Sequence, residues 1–160
     1  MIRVDGRWLL AAAVLGLVVV GAVVAADAGT SHTLVVEDYE TGEELFTVPV
    51  ENNTTVTLAY THSVEKTPVR DIYAVRDGEL VMTRMEYHSF GAGLPSTVEV
   101  ERADDGSYVY RPPNRRTDTL VVATGYVADH ELVVDGKRYA LAERADGGSV
   151  RIYVRNRFDL

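Results

Sequence analysis

The sequence predicts an all-β domain, an antiparallel β-sandwich or barrel of about ten short strands, preceded by one N-terminal hydrophobic helix. Three observations carry this. Short alternating or apolar runs recur along the chain from about residue 33 onward. Glycine-containing turn pairs punctuate them at 41–42, 77–78, 105–106, 135–136 and 146–148. Helical periodicity is almost absent outside the first segment.

That first segment is uncharged from Trp8 to Ala26, follows Arg3 and Arg7, and is closed by Asp27. A helix rising about 1.5 Å per residue crosses a hydrocarbon core with roughly 20 residues, so the run fits a full span. Secretory apolar regions are usually shorter, about 7–15 residues, which favours an uncleaved anchor. "ADA" at 26–28 resembles a cleavage site and keeps a removed signal as the alternative. The two arginines assign the N-terminus to the cytoplasm and the C-terminal domain to the outside. The expected division is 1–28, transmembrane anchor or signal segment, and 29–160, extracytoplasmic β-domain.

The strand candidates follow in order: "TLVVED", "ELFTVPV", "TTVTLAY", "DIYAV", "ELVMTRM", "STVEVE", "SYVYR", "TLVVAT", "ELVVD", "KRYALA" and "SVRIYVR". Asp-Gly pairs tolerate the positive φ angles of tight hairpins, so several of these runs should pair with their neighbours. "RPPNRRTD" at 111–118 is expected to be a surface loop, because Pro112 and Pro113 donate no ladder hydrogen bond.

Asp and Glu number 24 against 16 Lys and Arg, for a net charge of −8, and Lys66 and Lys137 are the only lysines. An acidic, lysine-poor surface keeps a protein soluble in concentrated salt, which points to a halophilic setting. It also argues against nucleic acid, whose phosphates it would repel. With no cysteine, disulfides and thiolate metal sites are excluded. No cofactor is expected.

The chemistry-bearing residues gather in "YTHSVEKTPV" (60–69) and "YHSFGAGLPS" (87–96). Strand alternation places His62 on the parity of Val56, Leu58 and Tyr60, and His130 on that of Leu132 and Val134. Each is then either a core-edge histidine satisfied by the backbone or part of a shared rim pocket. Ser63 points away from His62 while the strand continues, which weakens a serine-nucleophile reading. His62, His88 and His130, with Glu65 and Glu86, are the metal-ligand candidates, although no spacing concentrates them. Gly91 and Gly93 permit a tight turn whose N–H groups could face an anion near Lys66 or Arg70; a simple packing turn is the other reading. The candidate binding set is therefore His62, Glu65, Lys66, Gly91, Gly93 and His130. The two motifs are expected to face each other as rim loops. "ENNTTV" adds two overlapping glycosylation triplets, at Asn52 and Asn53.

"THSVEKTPV" (61–69), "SFGAGLP" (89–95) and "GYVADHELVVDG" (125–136) resemble the uncharacterised family catalogued as domain of unknown function 1850, over roughly residues 45–155. Its members are typically small exported or membrane-anchored proteins whose genes often lie beside those of TAXI-type TRAP transporters. The resemblance implies a non-enzymatic accessory role beside a TRAP permease, its solute-binding protein or the solute, and brings no activity or binding residues with it. Two alternatives stand beside it. One is a metal-dependent or acid/base enzyme using His62, His130 and Glu65; the other is a cell-envelope structural domain without a ligand.

Overall fold

Alternating side chains and tight turns set the strands. In the computed structural model, which describes residues 32–89, 94 and 99–156, the order opens with β1 (His32–Asp38), β2 (Glu44–Val50), β3 (Thr55–Thr61), β4 (Pro68–Arg76) and β5 (Glu79–Tyr87). It continues with β6 (Glu101–Arg102), β7 (Tyr108–Tyr110), β8 (Arg115–Thr117), β9 (Thr119–Ala123), β10 (Glu131–Val134) and β11 (Lys137–Ala140). The one-turn helix α1 (Leu141–Arg144) and β12 (Ser149–Asn156) complete it. The expected N-terminal helix, Gly91 and Gly93 lie outside the described residues.

The pairings are all antiparallel and form two sheets. One is ordered β2-β1-β12-β9; the other is β11-β10-β3-β4-β5-β7-β6, with β8 also paired to β5. Leu34, Val36, Val150 and Ile152 of the first sheet share one core cluster with Val56, Leu58, Tyr73, Leu80, Met82 and Leu132 of the second. Leu34, Leu80 and Leu132 are fully buried, and each such side chain contributes about 1.5–3 kcal/mol by leaving water. Both open sides of the sandwich are closed. On one, Asp118 alone separates β8 from β9 and carries the chain between sheets. On the other, Phe46 of β2 stacks on Tyr139 of β11, ring centroids 4.8 Å apart.

The Asp77-Gly78 and Asp135-Gly136 pairs behave as their composition dictates, with φ of 54° and 82°, and 46° and 84°. Positive φ at both central residues is the twist a two-residue hairpin needs. At 146–148 the outcome differs. Asp146 and Gly147 are also left-handed, yet they end α1, where Gly147 N–H donates to the Ala142 carbonyl, and lead into β12 in the other sheet.

The last two residues of "KRYALA", Leu141 and Ala142, are accordingly helix, not strand. The loop expected over 111–118 is corrected too: the prolines do stay out of the ladders, but Arg115–Thr117 pairs with Leu80–Met82 of β5. "DIYAV" is the interior of a longer strand that begins at Pro68, since a proline is tolerated at a strand's first residue.

One irregularity matters for the site. Ile72 pairs with Arg84 and Tyr73 with Met82, which leaves Thr83 as an extra residue in β5. Its hydroxyl donates to the Ile72 carbonyl at 3.0 Å. The bulge flips parity, so Leu80 and Met82 face the core before it and Met85 and Tyr87 after it. His88, on the pre-bulge parity of Leu80, emerges exposed.

Candidate functional site

β3 ends at Thr61, and residues 62–67 close into a compact loop. His62 N–H donates to the Thr67 carbonyl at 2.8 Å, and Lys66 N–H to the His62 carbonyl at 2.9 Å. Lys66 sits at a φ of 55°. The His62 ring is buried, and its Nδ1 accepts from Glu65 N–H at 3.2 Å. A nitrogen that accepts carries no proton, so the other ring nitrogen holds the hydrogen in the neutral ring. His62 thus acts as the pivot of the loop. Glu65 and Lys66 are exposed on its outside, as is Ser63.

His130, just before β10, stacks on Tyr60 with ring centroids 5.1 Å apart. Its Nδ1 is buried without a hydrogen-bond partner. Burial lowers its pKa, partly opposed by Asp129, so the neutral ring is favoured. The chain around it is pinned on both sides: Thr61 N–H donates to the Ala128 carbonyl at 2.7 Å and Leu141 N–H to the His130 carbonyl at 2.9 Å. The two histidines therefore belong to one end of the molecule, either side of Tyr60.

The first rim motif meets the described start of the second. Thr67 Oγ1 and Ser89 Oγ are 2.9 Å apart, linking the 62–67 loop to the segment that leaves β5. His88 lies close enough to Asp105, in the 103–107 turn, to help lower the pKa of that carboxyl. Among the described residues no three His, Asp or Glu side chains come together to hold a metal ion. Asn52 and Asn53 lie at the opposite end, both exposed. The Asn52 side-chain oxygen accepts from Asp77 N–H at 2.9 Å, and Asn53 sits at a φ of 71°.

Beside the rim, an open depression of about 340 Å³ lies at the ends of β3, β4 and β10, lined by Tyr60, Arg70, Asp129, Glu131 and Arg138. Three of these four charges are in ion pairs: Arg138 pairs with Glu131, and Arg70 lies 3.7 Å from Glu86.

The sequence reading missed the most unusual group in the domain. Asp71 lies in the inward row of β4, among Val69, Tyr73 and Val75, and keeps only 8% of its exposure. Its cross-strand neighbours are Leu58 and Met85, and its Oδ1 has no hydrogen-bond partner. Burial pushes its pKa up to about 6, against the lowering effect of Arg115 on β8. Tyr60 is pushed up to about 12 by burial and then by the Asp71 charge, and Tyr73 is raised for the same reasons. The signal was legible in the period-two set Val69, Asp71, Tyr73, Val75. It is hidden because the run "DIYAV" starts the expected strand at Asp71, where a charge is unremarkable.

A family profile, Domain of unknown function (DUF1850), matches residues 56–141. The chain belongs to this DUF1850 family. The matched stretch is narrower than the motifs suggested; it runs from β3 to the start of α1 and holds both rim motifs, Asp71 and His130. In DUF1850 terms, β1, β2 and the whole of β12 lie outside the match. No curated protein and no solved structure matches the chain.

Proposed function

We propose that this domain is a non-enzymatic accessory component of a TAXI-type TRAP transport system, held outside the cytoplasm by the segment over 8–26 and contacting the permease or its solute-binding protein. The supporting observation is how the rim histidines are used. His62 gives its Nδ1 to the backbone of its own loop, and the His130 ring is packed on Tyr60. Glu65 is exposed on the loop that His62 organises. Side chains spent on shaping loops favour a recognition surface over an acid/base pair, which needs a base free to reach its proton. Membership in DUF1850 is compatible with this reading and assigns no activity. No helix among the described residues is long and apolar enough to cross a membrane, so the proposed anchor rests on the sequence of 8–26.

The test is affinity purification of the full chain from native membranes in mild detergent. Permease or solute-binding subunits should co-purify, and transport should fall when the gene is removed. Normal uptake in the deletion strain, with no transport subunit in the purified material, rejects the assignment.

A further inference from the structure

Among the described residues, large apolar side chains left in water lie toward one end of the domain. Among the described residues the exposed large hydrophobics are Tyr39, Val64, Val121, Tyr126 and Val127, with Val64, Tyr126 and Val127 at 70%, 62% and 71% exposure. They can be traced as one surface. Val121 stands opposite Arg151 in the β9–β12 ladder, and the Arg151 guanidinium covers the Tyr39 ring at 5.1 Å. Tyr39 N–H donates to the Ser149 carbonyl. From there Gly148 and Gly147 lead to the Tyr126 ring, which lies 3.0 Å from where a Cβ on Gly147 would sit. Val127 follows, and the Ala128 carbonyl is bonded to Thr61 N–H, where the loop bearing Val64 begins.

The same loops are acidic. Glu40, Glu43, Glu65, Asp129, Glu143 and Asp146 are exposed in the loops 39–43, 62–67, 124–130 and 141–148, against the cations Lys66 and Arg144 alone. Arg144 is further occupied over the Phe46 ring at 4.9 Å. At the opposite end, the turns at 51–54, 77–78 and 135–136 carry acids but none of the exposed large hydrophobics. The contrast is therefore in apolar surface. An aromatic and aliphatic centre inside a charged ring is the composition of a protein interface.

Charge and chain path narrow the occupant. A second copy would set carboxylates against carboxylates, and an anionic lipid surface would be repelled in the same way. The chain enters β1 at His32, which pairs with Val50 and Asn156 at the far end. The seven residues of β1 put that entry about 20 Å from the rim. We infer that the rim centred on Tyr126 and Val127 is a docking surface for a protein partner in the aqueous compartment, one that presents an apolar patch ringed by Lys and Arg. This names the face that the accessory reading needs and rests on that reading only for who the partner is.

The test places the photo-crosslinker benzoylphenylalanine at position 127 of the full chain in native membranes, and at position 47, on the exposed side of β2, as a control. One discrete protein adduct should form from position 127, about tenfold above position 47, with a cross-linked peptide flanked by Lys or Arg. The combined charge reversals Glu40→Lys, Glu65→Lys and Glu143→Lys should cut it about tenfold at an unchanged thermal midpoint. If that variant does not fold, Glu65→Lys alone is measured against the same criterion. A lipid adduct, an adduct with a second copy, equal labelling at both positions, or indifference to charge reversal overturns the proposal. A basic partner that is not a transport subunit leaves the docking surface standing and removes the transport assignment. A transport subunit captured only from position 47 does the reverse.

Discussion

Asp71 occupies a position that β-sandwich cores reserve for hydrocarbon, and its energetics have a definite sign. The ordinary value for an Asp carboxyl is 3.8, and burial pushes that of Asp71 up to about 6 in the fold. The fold therefore prefers the neutral acid: ionisation costs nothing below about pH 4, costs progressively more up to about pH 6, and is fully expressed above that. A displacement of this size corresponds to about 3 kcal/mol. Asp71→Asn should accordingly raise unfolding stability by up to about 3 kcal/mol at pH 7 and change little at pH 4, as chemical denaturation at the two values will measure. His130 acts in the opposite sense. Burial lowers its pKa, so its contribution is present above about pH 6.5 and is lost as pH falls through its folded value. The pH profile of Asp71→Asn should retain that slope. At the rim, His62→Ala removes the acceptor of Glu65 N–H and should cost about 1–2 kcal/mol. Faster hydrogen exchange should appear at the Glu65 amide, and the strands should stay paired. Global unfolding of that variant would show that the 62–67 loop holds the core.

Among elements, the β5 bulge has the widest reach. Thr83 lets one strand present Leu80 and Met82, then Met85 and Tyr87, to the same core. Deleting Thr83 restores a plain ladder and turns either pair outward, because a one-residue slip moves every following side chain to the other face. The deletion variant should lose its cooperative unfolding transition. Thr83→Ala keeps the residue count and forfeits only the bond to the Ile72 carbonyl, so it should cost about 1 kcal/mol. Equal damage from both changes would mean that the hydroxyl, not the extra residue, sustains the register. The α1–β12 junction is similarly specific. Gly147 has a φ of 75° and the Tyr126 ring lies against it. Gly147→Ala should displace Tyr126 and cost about 1–2 kcal/mol. An unchanged thermal midpoint and an unperturbed Tyr126 resonance would contradict that.

For the whole molecule, two ends with different characters organise the proposals. One carries the apolar, acid-framed rim; the other carries His32, the entry of the chain, and the Asn52–Asn53 turn. A glycan would therefore sit away from the docking surface. Asn53 is the favoured acceptor, since the Asn52 amide already receives Asp77 N–H; intact-mass and peptide mapping of native protein should place any modification there. A net charge of −8 also makes the compact state self-repelling at low ionic strength. The thermal midpoint should rise with potassium chloride, and a midpoint that falls on adding salt would count against the halophilic reading.

The sequence alone determined what depends on neighbours along the chain. Period-two alternation marked most of the strands and put His62 and His130 at the inner edge of theirs. The Asp-Gly pairs at 77–78 and 135–136 fixed two hairpins through a φ requirement that few residues meet. The three motifs identified the family. Only the tertiary structure decided what depends on pairing. Asp71 is interior because β4 extends back to Pro68 between β3 and β5. Arg115–Thr117 is a strand because β5 leaves an edge for it, and Met85 and Tyr87 turn inward because the partner strand omits one residue. Val64, Tyr126 and Val127 form one surface because loops far apart in the chain close over the same end. Alternation is a local steric property of each strand, whereas register and adjacency follow from long-range hydrogen bonding that no single segment encodes.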